Sequence, residues 1–113
     1  MSSYSCIWEY RVRPDYLAQF ERHYGPDGTW VRLFEKATGY VGTVLLRDRA
    51  QPLRYVTIDT WESAEAYQAF RSRFEARYRA VDDLCASFTT EEVSLGEYSG
   101  FSPNSSLERG RDR

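Results

Sequence analysis

Asp59, Trp61 and Tyr67, together with the single histidine, His23, are the side chains whose chemistry suits holding or moving a proton on a bound small molecule. Asp59 falls in the middle of a run that reads as a strand, on the same side as Trp61. A carboxylate there must be hydrogen-bonded or have its pKa raised by burial, and a raised carboxyl suits a general base. An ion pair with Arg11 or Arg54 across the sheet would account for it with no function attached. His23 is the one side chain whose ordinary pKa lies near neutral. Its place beside Arg22, near the end of a helix, is also where the helix dipole favours a surface histidine. Trp61 either shapes the floor of a pocket or anchors the core with its indole N–H on a carbonyl. Tyr67 shares a helical stripe with Phe70 and Phe74, so its ring is buried and its hydroxyl points into a cavity or at the backbone.

Further rings are candidates for a pocket wall. Trp8 and Tyr10 share a strand face with Cys6 and line either a cavity between sheet and helices or a subunit seam. Trp30 and Phe34 would close a pocket mouth as a lid, or pack against the sheet edge. Tyr55 and Phe70 complete the candidate pocket. Cys6 and Cys85 are the only cysteines, far apart and outside any C-x-x-C or Cys/His pattern. They read as two buried thiols, with neither a disulfide nor a zinc site. No metal and no cofactor is expected.

The elements that position these residues are set by periodicity. From Tyr4 to Val12 the even positions carry Tyr, Cys, Trp, Tyr and Val, a period of two that marks a half-buried strand. Pro14 stops it and opens a helix to Tyr24, with Leu17, Phe20 and Tyr24 on one stripe and Gly25 as its stop. After the turn at Gly25-Pro26-Asp27-Gly28, a second helical piece runs from Thr29 to about Ala37, closed by Gly39. Tyr40 to Arg47 reads as strand two, with apolar residues on both faces, so both should be covered. Strand three runs from about Arg54 to Trp61. Ser63 is a good N-cap for a long helix from about Ala64 to Ala86, broken near Asp82-Asp83. A last strand, Glu91 to Tyr98, puts Val93 and Leu95 on one face. One domain over residues 1–100 is expected, followed by a polar, disordered tail, 101–113.

Composition narrows the class. The chain has 113 residues, enough for one core, and its 42% hydrophobic and 28% charged residues suit a globular domain. Aromatic residues make up 16%, more than such a core needs, which points to rings on a pocket or an interface. A net charge of -2 with the two signs interspersed leaves no basic surface for nucleic acid. Neither a signal peptide nor a transmembrane run is present, so no membrane association and a cytoplasmic location are expected.

The order strand, helix, helical insert, strand, strand, long helix, strand is the β-α-β-β-α-β pattern of ferredoxin-like α+β folds. Helices there cover one face of a four-stranded antiparallel sheet. Apolar side chains on both sides of strands one to three would leave an exposed patch on the other face, best covered by a second copy in a homodimer.

Within this order, the segment from Tyr55 through Trp61-Glu62-Ser63 to Tyr67 and Phe70 resembles the signature of the antibiotic biosynthesis monooxygenase superfamily. There a strand ends in Trp and a Ser-capped helix presents an aromatic residue six positions later. Gly39-Tyr40-Val41-Gly42-Thr43 resembles the usual helix stop and second strand, and the likeness covers about residues 4–98. It implies a ferredoxin-like protomer that pairs into a dimeric α/β barrel. Members include haem-degrading enzymes, whose pattern asks for an Asn on strand one and a histidine on the helix after the Trp. This chain has only Trp61, so haem degradation is not expected. Cofactor-independent oxygenases of the superfamily hold a phenol in a dry aromatic pocket, and Trp61 and Tyr67 stand at the spacing of the Trp and Tyr of that branch. By this resemblance Trp61, Tyr67 and Trp8 would position an aromatic, polyketide or quinone-like molecule, and Asp59 or His23 would take its proton. The alternatives are a non-catalytic ligand-binding or assembly protein, or a polyketide cyclase or isomerase on the same scaffold.

Overall fold

The structure, a computed structural model, describes residues 2–101; of the tail expected over 101–113, Phe101 is the last residue of a strand and the rest lies outside the described residues. The elements are β1 (Ser2–Val12), α1 (Leu17–Tyr24), α2 (Thr29–Phe34), β2 (Tyr40–Arg47), β3 (Arg54–Trp61), α3 (Ala64–Arg73), α4 (Glu75–Cys85) and β4 (Thr89–Phe101). Single 3-10 turns precede α1 and follow α4. The strands form one antiparallel sheet in the order β2-β3-β1-β4, the α+β ferredoxin-like arrangement expected from the element order. Among the described residues no helix is long and apolar enough to cross a membrane.

The period of two in β1 sets the two faces of the sheet. Cys6, Tyr10 and Val12 are buried under the helices, and Ile7, Glu9 and Arg11 point the other way. At the start of β2, Gly39 has φ +95, and a Cβ there would stand 2.6 Å from Ala66 Cβ. That left-handed turn brings the chain close enough for Glu62 N–H to donate to Gly39 C=O at 2.7 Å, seating β2 beside the end of β3. Ser63 accepts from Ala66 N–H at 3.0 Å as the N-cap of α3.

The long helix breaks at Phe74, not near Asp82-Asp83. Phe74 leaves helical geometry (φ -112, ψ 25), and α4 then continues to Cys85. The backbone bonds on either side of the break survive, Phe74 N–H to Phe70 C=O and Tyr78 N–H to Phe74 C=O. The result is a kink that keeps Phe70 and Tyr78 on the same core, with ring centroids 6.2 Å apart. Nothing forces a break at the two aspartates, because both are exposed, Asp82 at the edge of a cavity. A second departure concerns β2, whose outer face is bare: Val41, Val44 and Leu46 are about half exposed.

The core is a continuous stack of rings. Phe20 packs on Tyr10, Tyr24 and Tyr55, while Phe34 and Trp61 join α2 to β3 and to Phe70 of α3. Edge-to-face and offset pairs of this kind add about 0.5–1.5 kcal/mol each beyond the area they bury. The high aromatic content serves this stack and, in part, the cavity beside it.

Candidate functional site

Short side chains opposite long ones open a space in this core. Across the sheet, Trp8 lies in register with Thr57, Tyr10 with Glu92, and Asp59 with Thr43. The two threonines do not fill the layer between sheet and helices, and a cavity of about 280 Å³ remains. Its floor is Trp8, Tyr10, Thr43, Thr57, Asp59 and Glu92; its roof is Tyr24 of α1, Trp30 and Phe34 of α2, and Tyr78 and Asp82 of α4. The volume and the mix of rings with a few polar groups suit a small organic molecule.

Asp59 is the polar centre of the floor. Thr43 Oγ1 donates to Asp59 Oδ1 at 2.8 Å, and Tyr40 and Thr43 hydroxyls are 2.7 Å apart. With the Thr43 proton committed to the carboxylate, Tyr40 must donate to Thr43, giving a chain Tyr40 to Thr43 to Asp59. Burial pushes the Asp59 carboxyl up to about 6, against the pull of the Thr43 hydrogen bond. Packing surrounds the group, yet the cavity keeps it accessible, which is the condition for a carboxylate that exchanges a proton near neutral pH. The ion-pair explanation fails. Arg54 lies on the outer face, 2.5 Å from Glu9 and 3.1 Å from Asp48, and Arg11 faces Glu9 and Glu91 there.

The cavity tyrosines are not bases. Burial raises Tyr10, Tyr24 and Tyr78 well above the ordinary phenol value. They stay protonated and offer neutral hydroxyls, as where Thr57 Oγ1 donates to the Tyr10 hydroxyl at 3.3 Å.

Of the residues singled out from the sequence, Asp59, Trp8, Tyr10, Trp30 and Phe34 are brought together here, and the sheet-helix cavity is where Trp8 and Tyr10 point. Five others stand outside its wall. Trp61 is fully buried among Phe34, Tyr40, Tyr67 and Phe70. Its indole N–H caps no carbonyl and has no hydrogen-bond partner among the described residues. Tyr67 packs on Tyr4 and Trp61, and Arg71 Nη1 donates to its hydroxyl at 3.2 Å. That hydroxyl therefore meets neither the cavity nor the backbone. His23 Nδ1 is 2.7 Å from Thr29 Oγ1 and its ring stacks on Phe88, tying α1 to α2 and to the approach to β4. Tyr55 donates to Glu21 and ties β3 to α1, and Phe70 is core. Sequence reasoning missed Tyr24, Thr43, Thr57, Tyr78, Asp82 and Glu92; only the strand register and the helical stripe could have signalled them.

Trp61→Phe is expected to change stability by no more than about 1 kcal/mol, since the lost area is offset by removal of a buried, unpartnered donor. Chemical denaturation checks this; a loss of several kcal/mol would mean that the indole N–H has a partner that matters.

An α+β ferredoxin-like domain with a ring-walled cavity under its helices defines the class. The family model of the antibiotic biosynthesis monooxygenases matches residues 3–80, and the chain belongs to that family. No curated protein matches it. Among solved structures it is similar to an antibiotic biosynthesis monooxygenase by name from Nitrosomonas europaea (19% identity, TM-score 0.70, 90% of this chain and 93% of that one). It is also similar to SnoaB, a cofactor-independent oxygenase from Streptomyces nogalater (18%, TM-score 0.67, 90% and 98%). A conserved protein from Methanosarcina mazei superposes almost as well (12%, TM-score 0.66, 87% and 92%). Likeness at this level of identity speaks for the fold alone.

Proposed function

We propose that this protein is a cytoplasmic homodimer that binds an aromatic or polyketide-like small molecule in the cavity and oxygenates it without a cofactor. The observation that carries the reading is Asp59: the most enclosed of three carboxyls in a cavity otherwise walled mainly by rings, held by Thr43 and pushed up to about 6 by burial. Asp59 takes the proton of a substrate phenol. The electron-rich phenolate then reduces dioxygen, and a C–O bond forms at a ring carbon. Loss of that carbon's hydrogen with the distal oxygen, as water, leaves a quinone, so the substrate itself supplies the electrons. Free, buried Cys6 and Cys85 fit a reducing compartment. Homodimer formation is supported by the outer sheet face, where Val44, Ile58 and Ile7 form one apolar row across three strands with no described element over it.

The test is oxygen uptake with a panel of hydroxylated polycyclic aromatics, in buffer free of metal and flavin. Uptake equimolar with quinone formed is expected. Binding without oxygen consumption would favour the second reading, a non-catalytic ligand-binding domain, which draws support from Trp61 and Tyr67 standing outside the cavity wall. Ring closure without oxygen consumption would point to a cyclase.

A further inference from the structure

The cavity wall has an unbalanced charge. Its eleven residues include Asp59, Asp82 and Glu92 but no lysine, arginine or histidine. The carboxylates come from three separate elements, β3, α4 and β4. Facing them are six rings, Trp8, Tyr10, Tyr24, Trp30, Phe34 and Tyr78. Arg71 lies against the Tyr78 ring, 3.9 Å from its centroid, and bonds Tyr67, but it is not part of the wall. None of the three acids has an ion-pair partner among the described residues.

We infer that the molecule this cavity is built to take is an organic cation, an aromatic or polycyclic compound bearing a protonated amine. Carboxylates and ring faces both attract an ammonium group, and a pocket that supplies the two together favours it over a neutral group of equal size. The same wall repels a carboxylate or a preformed phenolate. A metal ion is the poorer fit, since among the described residues no three His, Cys, Asp or Glu side chains gather closely enough to hold one. Burial holds the Asp59 carboxyl above its ordinary value, while Glu92 and Asp82 are exposed at the rim of the cavity, where partial desolvation and the Asp82 charge raise Glu92. A bound ammonium relieves that cost.

The inference rests on the proposed small-molecule function and sharpens it. Removing a phenol proton beside two further carboxylates is electrostatically uphill, and an ammonium on the same substrate offsets the phenolate charge that develops.

Calorimetric titration at pH 7.5 with three matched ligands tests it: 6-aminomethyl-2-naphthol, 6-hydroxymethyl-2-naphthol and 6-hydroxy-2-naphthoate, carrying positive, neutral and negative groups on one ring system. The amine is expected to bind about tenfold or more tighter than the alcohol, and the naphthoate weakest. Glu92→Gln and Asp82→Asn should each lower the ratio of amine to alcohol affinity several-fold. Equal or tighter binding of the alcohol or the naphthoate would overturn the inference while keeping the aromatic-pocket function. Binding of none of the three would overturn both.

Discussion

Asp59→Asn is expected to lower the rate of oxygen uptake on the order of 1,000-fold, the usual scale for losing a positioned general base. The asparagine keeps the shape and can still accept from Thr43, but it cannot take a proton. In the wild-type protein the rate should rise with pH through an apparent pKa near 6, following ionisation of the Asp59 carboxyl. Stability should move the other way. The folded state raises this carboxyl to about 6 from an ordinary 3.8, so folding favours its protonated form. The cost of ionising it is absent below the unfolded-state pKa, grows as pH rises toward the folded-state value, and is complete above it. Asp59→Asn should therefore be more stable than wild type at pH 8, by about 2 kcal/mol after allowing for contact with water through the cavity. The two proteins should converge near pH 4. Paired denaturation curves and oxygen-electrode traces would show a variant that is more stable and inactive; one that is inactive and less stable would indicate a structural role for the carboxylate.

The second large effect concerns the outer face of the sheet. Val44→Asp combined with Leu46→Asp is expected to convert a dimer into a monomer, weakening self-association on the order of 1,000-fold or more, because an unpaired carboxylate buried at a subunit seam costs several kcal/mol. Both side chains are about half exposed in the protomer, so the protomer should fold as before. Sedimentation velocity reads the result directly. A wild-type protein that is monomeric at micromolar concentration would remove the homodimer from the proposal.

The sequence was most informative where local chemistry and the fold agree. β2 and β3 run over the ranges that their β-branched and aromatic residues predict, and Pro14, Gly25 and Ser63 mark element ends. Gly39 turns the chain into β2 but does not close α2, which ends at Phe34, three residues short of the Ala37 that the apolar spacing predicts. The helix break was misplaced because Asp82-Asp83 looks like a local breaker, whereas the kink at Phe74 answers to packing of distant rings. β4 misleads in a similar way. Val93 and Leu95 draw the eye to one side of the strand, but Val93 lies in register with Glu9 on the outer face, and Leu95 is the extra residue of a bulge between Ser94 and Gly96. It is Glu92, paired with Tyr10, that faces inward. In a sheet with two apolar faces, alternation alone does not say which one meets the helices.

The site was half legible for a related reason. Asp59, Trp8 and Tyr10 stand out as unusual residues on a regular strand. Thr43 and Thr57 matter for being small, and Tyr24 and Tyr78 look like any other ring on a core stripe, so their part in the cavity depends on register and on helix placement. Trp61 and Tyr67, prominent in the family signature, prove to be packing neighbours of one another beyond the cavity wall, with Trp61 behind Phe34. Trp61 also reaches the site through Tyr40, whose ring it supports at 5.3 Å and whose hydroxyl starts the chain to Asp59.

The most direct measurement is a crystal structure of the protein with 6-aminomethyl-2-naphthol bound. The expected result is a ring system lodged between Trp8 and Trp30 with its hydroxyl within about 3 Å of Asp59, hydrogen-bond distance for proton transfer. A ring bound on the outer sheet face, or one in the cavity with its hydroxyl turned away from Asp59, would contradict the assignment of Asp59 as the base.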